Sequence, residues 1–235
     1  MKQIETVAED TFKGGNATTE PTDDMPNAKP ASILYRDYFK RVIDLLIAVP
    51  FLIIMAIPML IVAFLIKIDS PGPVFFCQER LGKNEKVFDM LKFRSMCVNA
   101  EHTGSGVYSD KNDSRVTKIG KIIRATSIDE LPQLINVIKG DMSLLGPRAP
   151  LTYHPWPLEE YTDEQKRMFE VRPGFSGWAQ MHGRREVEWN HRIELNVWYV
   201  DHVRFSLDCK IFFKTIFTIL SGNKGNENVG ETVKK

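Results

Sequence analysis

The chain has 235 residues, with 31 Lys and Arg against 30 Asp and Glu for a formal net charge of +1, 43% hydrophobic residues and three cysteines. That length suits one domain or two small ones with a real core, and the near-neutral balance sets aside a protein that mainly holds nucleic acid, which needs a large basic excess on one face. Cys77, Cys97 and Cys209 are too few and scattered for a disulfide scaffold and form no C-x-x-C pair for zinc, so a reduced, cytosolic setting is expected.

Residues 1–31 read as a disordered tail: acids (Glu5, Glu9, Asp10, Glu20, Asp23, Asp24), Gly14-Gly15 and three prolines leave too little apolar surface to offset ordering entropy. Being acidic, the segment is neither a signal nor a transit peptide. Val42 to Ile66 is apolar except for Asp44 and carries Pro50 and Pro58. A helix of that length reaches about 37 Å, enough for a hydrocarbon core of about 30 Å. Pro58 removes a backbone donor and clashes one turn back, so a break is expected there, leaving arms too short to cross separately. Arg36, Lys40 and Arg41 precede the run and Lys67 follows it. Basic flanks at both ends favour a re-entrant helical hairpin over residues 32–68, with a simple span and a buried soluble helix as the other arrangements these residues allow.

Asp69 to Pro73 ends the helix. Val74 to Glu79 and Val87 to Phe93 read as two strands around a Gly82-Lys83-Asn84 turn. Residues 98–118 read as a polar surface loop, and the rest as helices between Pro and Gly breaks. The fold expected is α+β, mainly helical with a short β-hairpin, with a cytosolic catalytic domain over 69–220 and a flexible tail over 221–235. The last helix, Leu207 to Leu220, is Phe- and Ile-rich with Lys210 and Lys214 one turn apart, as suits a helix at a lipid interface.

The most informative stretch is IGKIIRATSIDELPQLINVIKGDMSLLGPRAP, residues 119–150. Leu131, Leu134, Ile135 and Ile138 have helical spacing and Gly140 is a natural stop, while Ser127 and Glu130 have capping-box spacing that puts Asp129 and Glu130 in the first turn. Acids there can simply favour the helix dipole. The company of Arg124 and of Gly146-Pro147-Arg148 points further. Adjacent carboxylates can hold a divalent cation, arginines grip phosphate oxygens, and an aspartate can be the nucleophile that splits a phosphoryl transfer into two steps.

These residues carry a resemblance. KRVIDLLIA (40–48), SPGPVFFCQERLG (70–82), LKFRSM (91–96), residues 117–150, VRPGFSGWAQMHGR (171–184) and ELNVWYVDH (194–202) follow one another as in the bacterial sugar transferases, the monotopic polyprenyl-phosphate phosphoglycosyl transferases. The resemblance implies transfer of a sugar-1-phosphate from a UDP-sugar to a polyprenyl phosphate, undecaprenyl phosphate in the usual case, with release of UMP at the cytoplasmic face of the cell inner membrane. Asp129 matches the family's nucleophile and Glu130 its partner, the two expected to bind Mg2+. Arg148 matches the phosphate-binding arginine, Arg124 a basic position upstream, and Lys92, Arg94 and Arg184 are further substrate-binding candidates. Pro58 matches the break of the family's membrane helix. Membrane lipid, later glycosyltransferases of glycan assembly and a second copy of the chain are candidate partners. The chain departs from the family at Ile57-Pro58 (Ser-Pro in the family), Asp113-Ser114-Arg115 (Asp-Pro-Arg) and Ala149-Pro150 (Pro-x). A membrane-tethered, Mg-dependent phosphohydrolase and a non-catalytic scaffold of glycan assembly are the alternatives. The five histidines lack metal spacing, and the tryptophans suit packing better than base stacking.

Overall fold

The computed structural model describes residues 29–103, 113–182 and 189–220. The expected tails, apart from residues 29–31, and Arg184 lie outside these residues. In chain order the elements are α1 (Lys40–Asp69), β1 (Phe75–Leu81), β2 (Val87–Phe93), α2 (Lys118–Ala125), α3 (Gln133–Lys139), β3 (Ser143–Leu145), α4 (Asp163–Lys166), β4 (Gly174–Ser176), α5 (Trp178–Met181), α6 (Trp189–His202) and α7 (Phe205–Leu220). The mainly helical α+β class and the hairpin match expectation.

Helix α1 corrects one part of the reading. It follows a wider helical turn over Tyr35–Phe39 and runs through both Pro50 and Pro58, so Pro58 does not divide it into two helices. A proline costs one helical hydrogen bond, and tertiary packing on both sides of Pro58 holds the rest. At 1.5 Å per residue α1 is about 45 Å long, and among the described residues it lies in the single helical run long and apolar enough to cross a membrane. Its inner face packs on the body. Ala48 and Leu52 join Met90, Leu134, Val137 and Met142. Met55, Met59 and Ile66 join Phe93, Ile123, Ile128 and Leu131. The outer face exposes Leu46, Ile53, Ile57, Leu60, Phe64 and Ile68, an apolar stripe far larger than soluble surfaces carry.

Both ends of α1 are tied to the same body. Asp208 of α7, buried, accepts hydrogen bonds from Lys40 Nζ at 2.5 Å, Tyr35 Oη at 2.7 Å and Tyr199 Oη at 2.6 Å. Arg41 donates to the Val137 and Ile138 carbonyls at 2.5 and 2.8 Å, satisfying orphan carbonyls at the end of α3. At the far end Asp69 Oδ2 accepts from Ile119 N at 2.9 Å. Before α1, Ala31 N bonds Asp201 O at 2.7 Å and Arg204 donates to Pro30 O. Pro30 and Ala31 therefore belong to the folded body, inside the segment read as tail.

The hairpin β1–β2 is antiparallel, with Phe76 opposite Lys92, Gln78 opposite Met90 and Arg80 opposite Phe88. Its turn uses Asn84 and Glu85 in the left-handed region in place of Gly82. A second, two-stranded parallel sheet pairs β3 with β4, Ser143 facing Gly174 and Leu145 facing Ser176. Trp178, Leu195, Tyr199, Leu207 and Ile211 pack α5, α6 and α7 together beside Tyr35. Burying each side chain of this size contributes about 1.5–3 kcal/mol. Helix α7 leaves Phe205, Phe213 and Phe217 exposed.

Candidate active site

Asp129 and Glu130 lie in a short 3-10 turn, Ile128–Glu130, between α2 and α3. The expected capping box does not form: Ser127 is left-handed at φ 58° with no side-chain cap, and Pro132 is the cap residue of α3. Gly140 ends α3 as expected, at φ 98°. Ile128 and Leu131 flank the pair and anchor it in the apolar cluster shared with Leu52, Met55 and Met59 of α1. The carboxylates are thus held beside α1.

Asn136 fixes the turn's position. Fully buried, it accepts from Leu91 N at 3.0 Å and donates to Asp89 O at 2.8 Å, so α3 is bonded to β2 as a neighbouring strand would be. That docking brings Lys92 Nζ to 2.8 Å from Glu130 Oε1. A lone Asn within an apolar helix pattern gave little sign of this role.

Arg148 comes from the other side. The loop 146–148 lies directly against 173–177, with Gly146 N donating to Ser176 O at 2.9 Å and Gly174 N to Pro147 O at 2.8 Å. A Cβ on Gly174 would stand 2.0 Å from Gly146 N, and one on Gly177 1.9 Å from Gly146 O, so glycine is required for this approach. The Ala149 and Pro150 carbonyls accept from Arg80 Nη1 at 2.9 Å and Leu81 N at 3.0 Å, holding the loop to β1. The result is a shallow cleft whose lining includes Arg80, Lys92, Glu130, Gln133, Arg148 and Phe175.

The two carboxyls differ. Burial, then the neighbouring Glu130, pushes Asp129 up to about 6 despite Lys92 and Arg124. No side chain among the described residues hydrogen-bonds it. Burial also pushes Glu130 up, but Lys92, Arg148 and Arg80 outweigh it and hold that carboxyl below the usual glutamate value. One carboxylate is tied to a cation; the other is left available.

The structure therefore brings together Asp129, Glu130, Lys92, Arg148 and, through its field on Asp129, Arg124. It does not bring Arg94 to them. Arg94 is buried and donates to Ser70 O at 2.7 Å and to Pro71 O, closing the turn after α1. Arg80, which the motifs did not single out, also lines this cleft. It stood within the QERLG stretch, where strand alternation with Gln78 could have marked it. His182 and His202 bond the carbonyls of Trp178 and Trp198; the His182 ring lies tilted against Trp178 and the His202 ring stacks on Trp198. No group of three His, Cys, Asp or Glu that could hold a metal occurs among the described residues.

Residues 35–222 match the bacterial sugar transferase family. The chain belongs to that family. This sugar transferase is 43% identical over 181 residues to the uncharacterized sugar transferase EpsL of Bacillus subtilis (strain 168), covering 77% of this chain and 87% of the relative. It is 44% identical over 188 residues to a UDP-N-acetylgalactosamine-undecaprenyl-phosphate N-acetylgalactosaminephosphotransferase of Aeromonas hydrophila, covering 79% of this chain but only 44% of that protein. It is 39% identical over 194 residues to the exopolysaccharide production protein PSS of Rhizobium leguminosarum bv. phaseoli, covering 79% of this chain and 97% of the relative.

Proposed function

We propose that this sugar transferase is a phosphoglycosyl transferase that moves a sugar-1-phosphate from a UDP-sugar to undecaprenyl phosphate, an early membrane step of polysaccharide assembly. The observation that carries the reading is the Asp129–Glu130 pair: no side chain among the described residues hydrogen-bonds Asp129, while Glu130 is held by Lys92 in a cleft shared with Arg148. Relatives named as undecaprenyl-phosphate phosphotransferases support the substrate classes.

In the first step a carboxylate oxygen of Asp129 attacks the β-phosphorus of the donor. The bond from that phosphorus to the bridging oxygen breaks, and UMP leaves with the oxygen. The acyl-phosphate so formed is then attacked by a phosphate oxygen of the lipid, which expels the Asp129 carboxylate and yields a polyprenyl diphosphate sugar. Arg148 and Lys92 offset charge on the transferring group. Arg124 holds the attacking carboxylate toward its ionised form. Two adjacent hard oxygen donors suit Mg2+, which takes one or two carboxylates and completes its shell from phosphates and water. When bound by Asp129 and Glu130 it would neutralise charge between carboxylate and diphosphate.

The reading includes a monotopic placement at the cytoplasmic face of the inner membrane, and the way α1 is tied to the body supports its single-leaflet part. A crossing helix about 45 Å long would carry its ends to opposite sides of a core about 30 Å thick. Here Lys40 and Arg41 at one end and Asp69 at the other all bond the same body, which supports a helix that enters one leaflet only. The exposed phenylalanines of α7 suit an interfacial helix beside it. The test is UMP release from a panel of UDP-sugars with Mg2+ and undecaprenyl phosphate. Lipid-dependent release with one donor is expected. Sugar phosphate freed without lipid would favour hydrolysis, and no release from any donor would favour a scaffold.

A further inference from the structure

We infer that Arg80 is a second guanidinium of the phosphate-binding cleft, paired with Arg148 to hold phosphoryl oxygens, and that Gln78 and Glu101 are the residues that position it. The inference deepens the phosphoryl-transfer reading by adding a binding residue. Its affinity claim can be tested without turnover.

Strand alternation sets the arrangement. Phe76, Gln78 and Arg80 share the face of the hairpin that carries Met90 and Lys92 across the register. Arg80 is half-buried at the end of β1, under the loop that carries Arg148, and lines the same cleft as Lys92, Glu130 and Arg148. Its guanidinium has five N–H donors. Nη1 donates to Ala149 O at 2.9 Å, Nε donates to Gln78 Oε1 at 3.1 Å, and Nη2 donates to the same oxygen. Gln78 Nε2 in turn donates to Glu101 Oε1. These acceptors, a carbonyl and an amide, are neutral.

No carboxylate among the described residues lies within ion-pair distance of Arg80 or of Arg148. Glu101 and Glu130 act on Arg80 from farther away and offset only part of the cost of withdrawing it from water, to which the second guanidinium of Arg148 adds. Burial and then Arg148 bring Arg80 down to about 10, which leaves it charged at neutral pH. A cleft with two such guanidiniums, each with spare donors, is complementary to an anion with several oxygens. Gln78 matters because it is neutral: it orients the fork without cancelling the charge, and the Glu101 carboxylate fixes which way the amide faces.

Two sources supply such oxygens, the donor's diphosphate and the lipid's phosphate. Binding of inorganic pyrophosphate to the full chain in detergent, without Mg2+, measures the shared chemistry. Arg80→Ala should weaken it by about 10- to 100-fold, as expected for a lost charge-assisted contact. Arg80→Lys should recover part of the loss, since an ammonium keeps the charge but not the fork. Gln78→Glu should weaken binding more than Gln78→Ala, because the new carboxylate neutralises Arg80. A role confined to pinning Ala149 would not produce that order.

Turnover then separates the sources. A raised donor KM with slower lipid-free UMP release assigns Arg80 to the donor, and a raised acceptor KM with an unchanged first step assigns it to the lipid. Wild-type pyrophosphate affinity in Arg80→Lys and Gln78→Glu together would overturn the inference, as would absence of pyrophosphate binding by the wild type. A wild type that binds pyrophosphate but transfers nothing would instead overturn the proposed function and leave this one standing.

Discussion

Replacing Asp129 by Asn should make the folded protein more stable while removing its activity. In the fold Asp129 is pushed up to about 6 from an ordinary value of 3.8, by burial first and Glu130 second. The folded state therefore binds its proton more tightly than the unfolded chain, so stability falls as pH rises from 3.8 through about 6 and the full cost persists above that. The interval corresponds to about 3 kcal/mol, and solvent on the open side of the cleft reduces the expectation to about 1–2 kcal/mol. Asparagine keeps the shape and discards the charge. Thermal melting in detergent, metal-free, at pH 7.5 should show Asp129→Asn melting about 2–8 °C higher than wild type, at about 2–4 °C per kcal/mol for a chain of this size. The gain should vanish below pH 3.8, where the wild-type carboxyl is protonated in both states. A variant no more stable at pH 7.5, or one whose advantage survives at pH 3.5, would refute the electrostatic account of the site.

Three further outcomes follow from the same geometry. Excess Mg2+ at pH 7.5 should raise the wild-type melting temperature and raise that of Asp129→Asn much less, because the cation offsets the paired carboxylates; equal shifts would place the metal elsewhere. Lys40→Met should cost about 3–5 kcal/mol by leaving Asp208 buried with only the Tyr35 and Tyr199 hydroxyls, measurable as a lower denaturation midpoint. Gly174→Ala should lower kcat/KM at least about tenfold, since its Cβ meets main-chain atoms of Gly146 at 2.0 Å and Ser176 at 2.4 Å and must displace the loop that bears Arg148.

The parts of the fold legible in the sequence were those with a local cause. Alternating β-prone runs give the hairpin, Gly140 gives the end of α3, and an apolar run whose only charge is Asp44 gives the place of α1. Pro58 misled because a proline ends a helix only when nothing else holds it, and Met55, Met59 and Ile66 are held by a distant cluster that spacing cannot display. The Ser127 capping box failed for a related reason: Pro132 starts α3 and leaves the acids in a tighter turn before it. Asp129, Glu130, Lys92 and Arg148 were found from motifs, and the fold gathers them. Arg94 sits in the same KFR motif as Lys92, but β2 ends at Phe93 and Arg94, just beyond the strand, closes the turn after α1. Strand alternation places Arg80 on the face of Gln78, whereas the role of Asn136 depends on the docking of α3 on β2, which no local pattern displays.

The most direct test of the central claim is the lipid-free first step. Incubation of wild type and Asp129→Asn with Mg2+ and the active UDP-sugar, without polyprenyl phosphate, should release UMP stoichiometric with wild-type enzyme and leave a sugar phosphate on the peptide bearing Asp129. The variant should do neither. UMP release by Asp129→Asn at the wild-type level, or release from wild type that leaves no adduct on that peptide, would contradict the account.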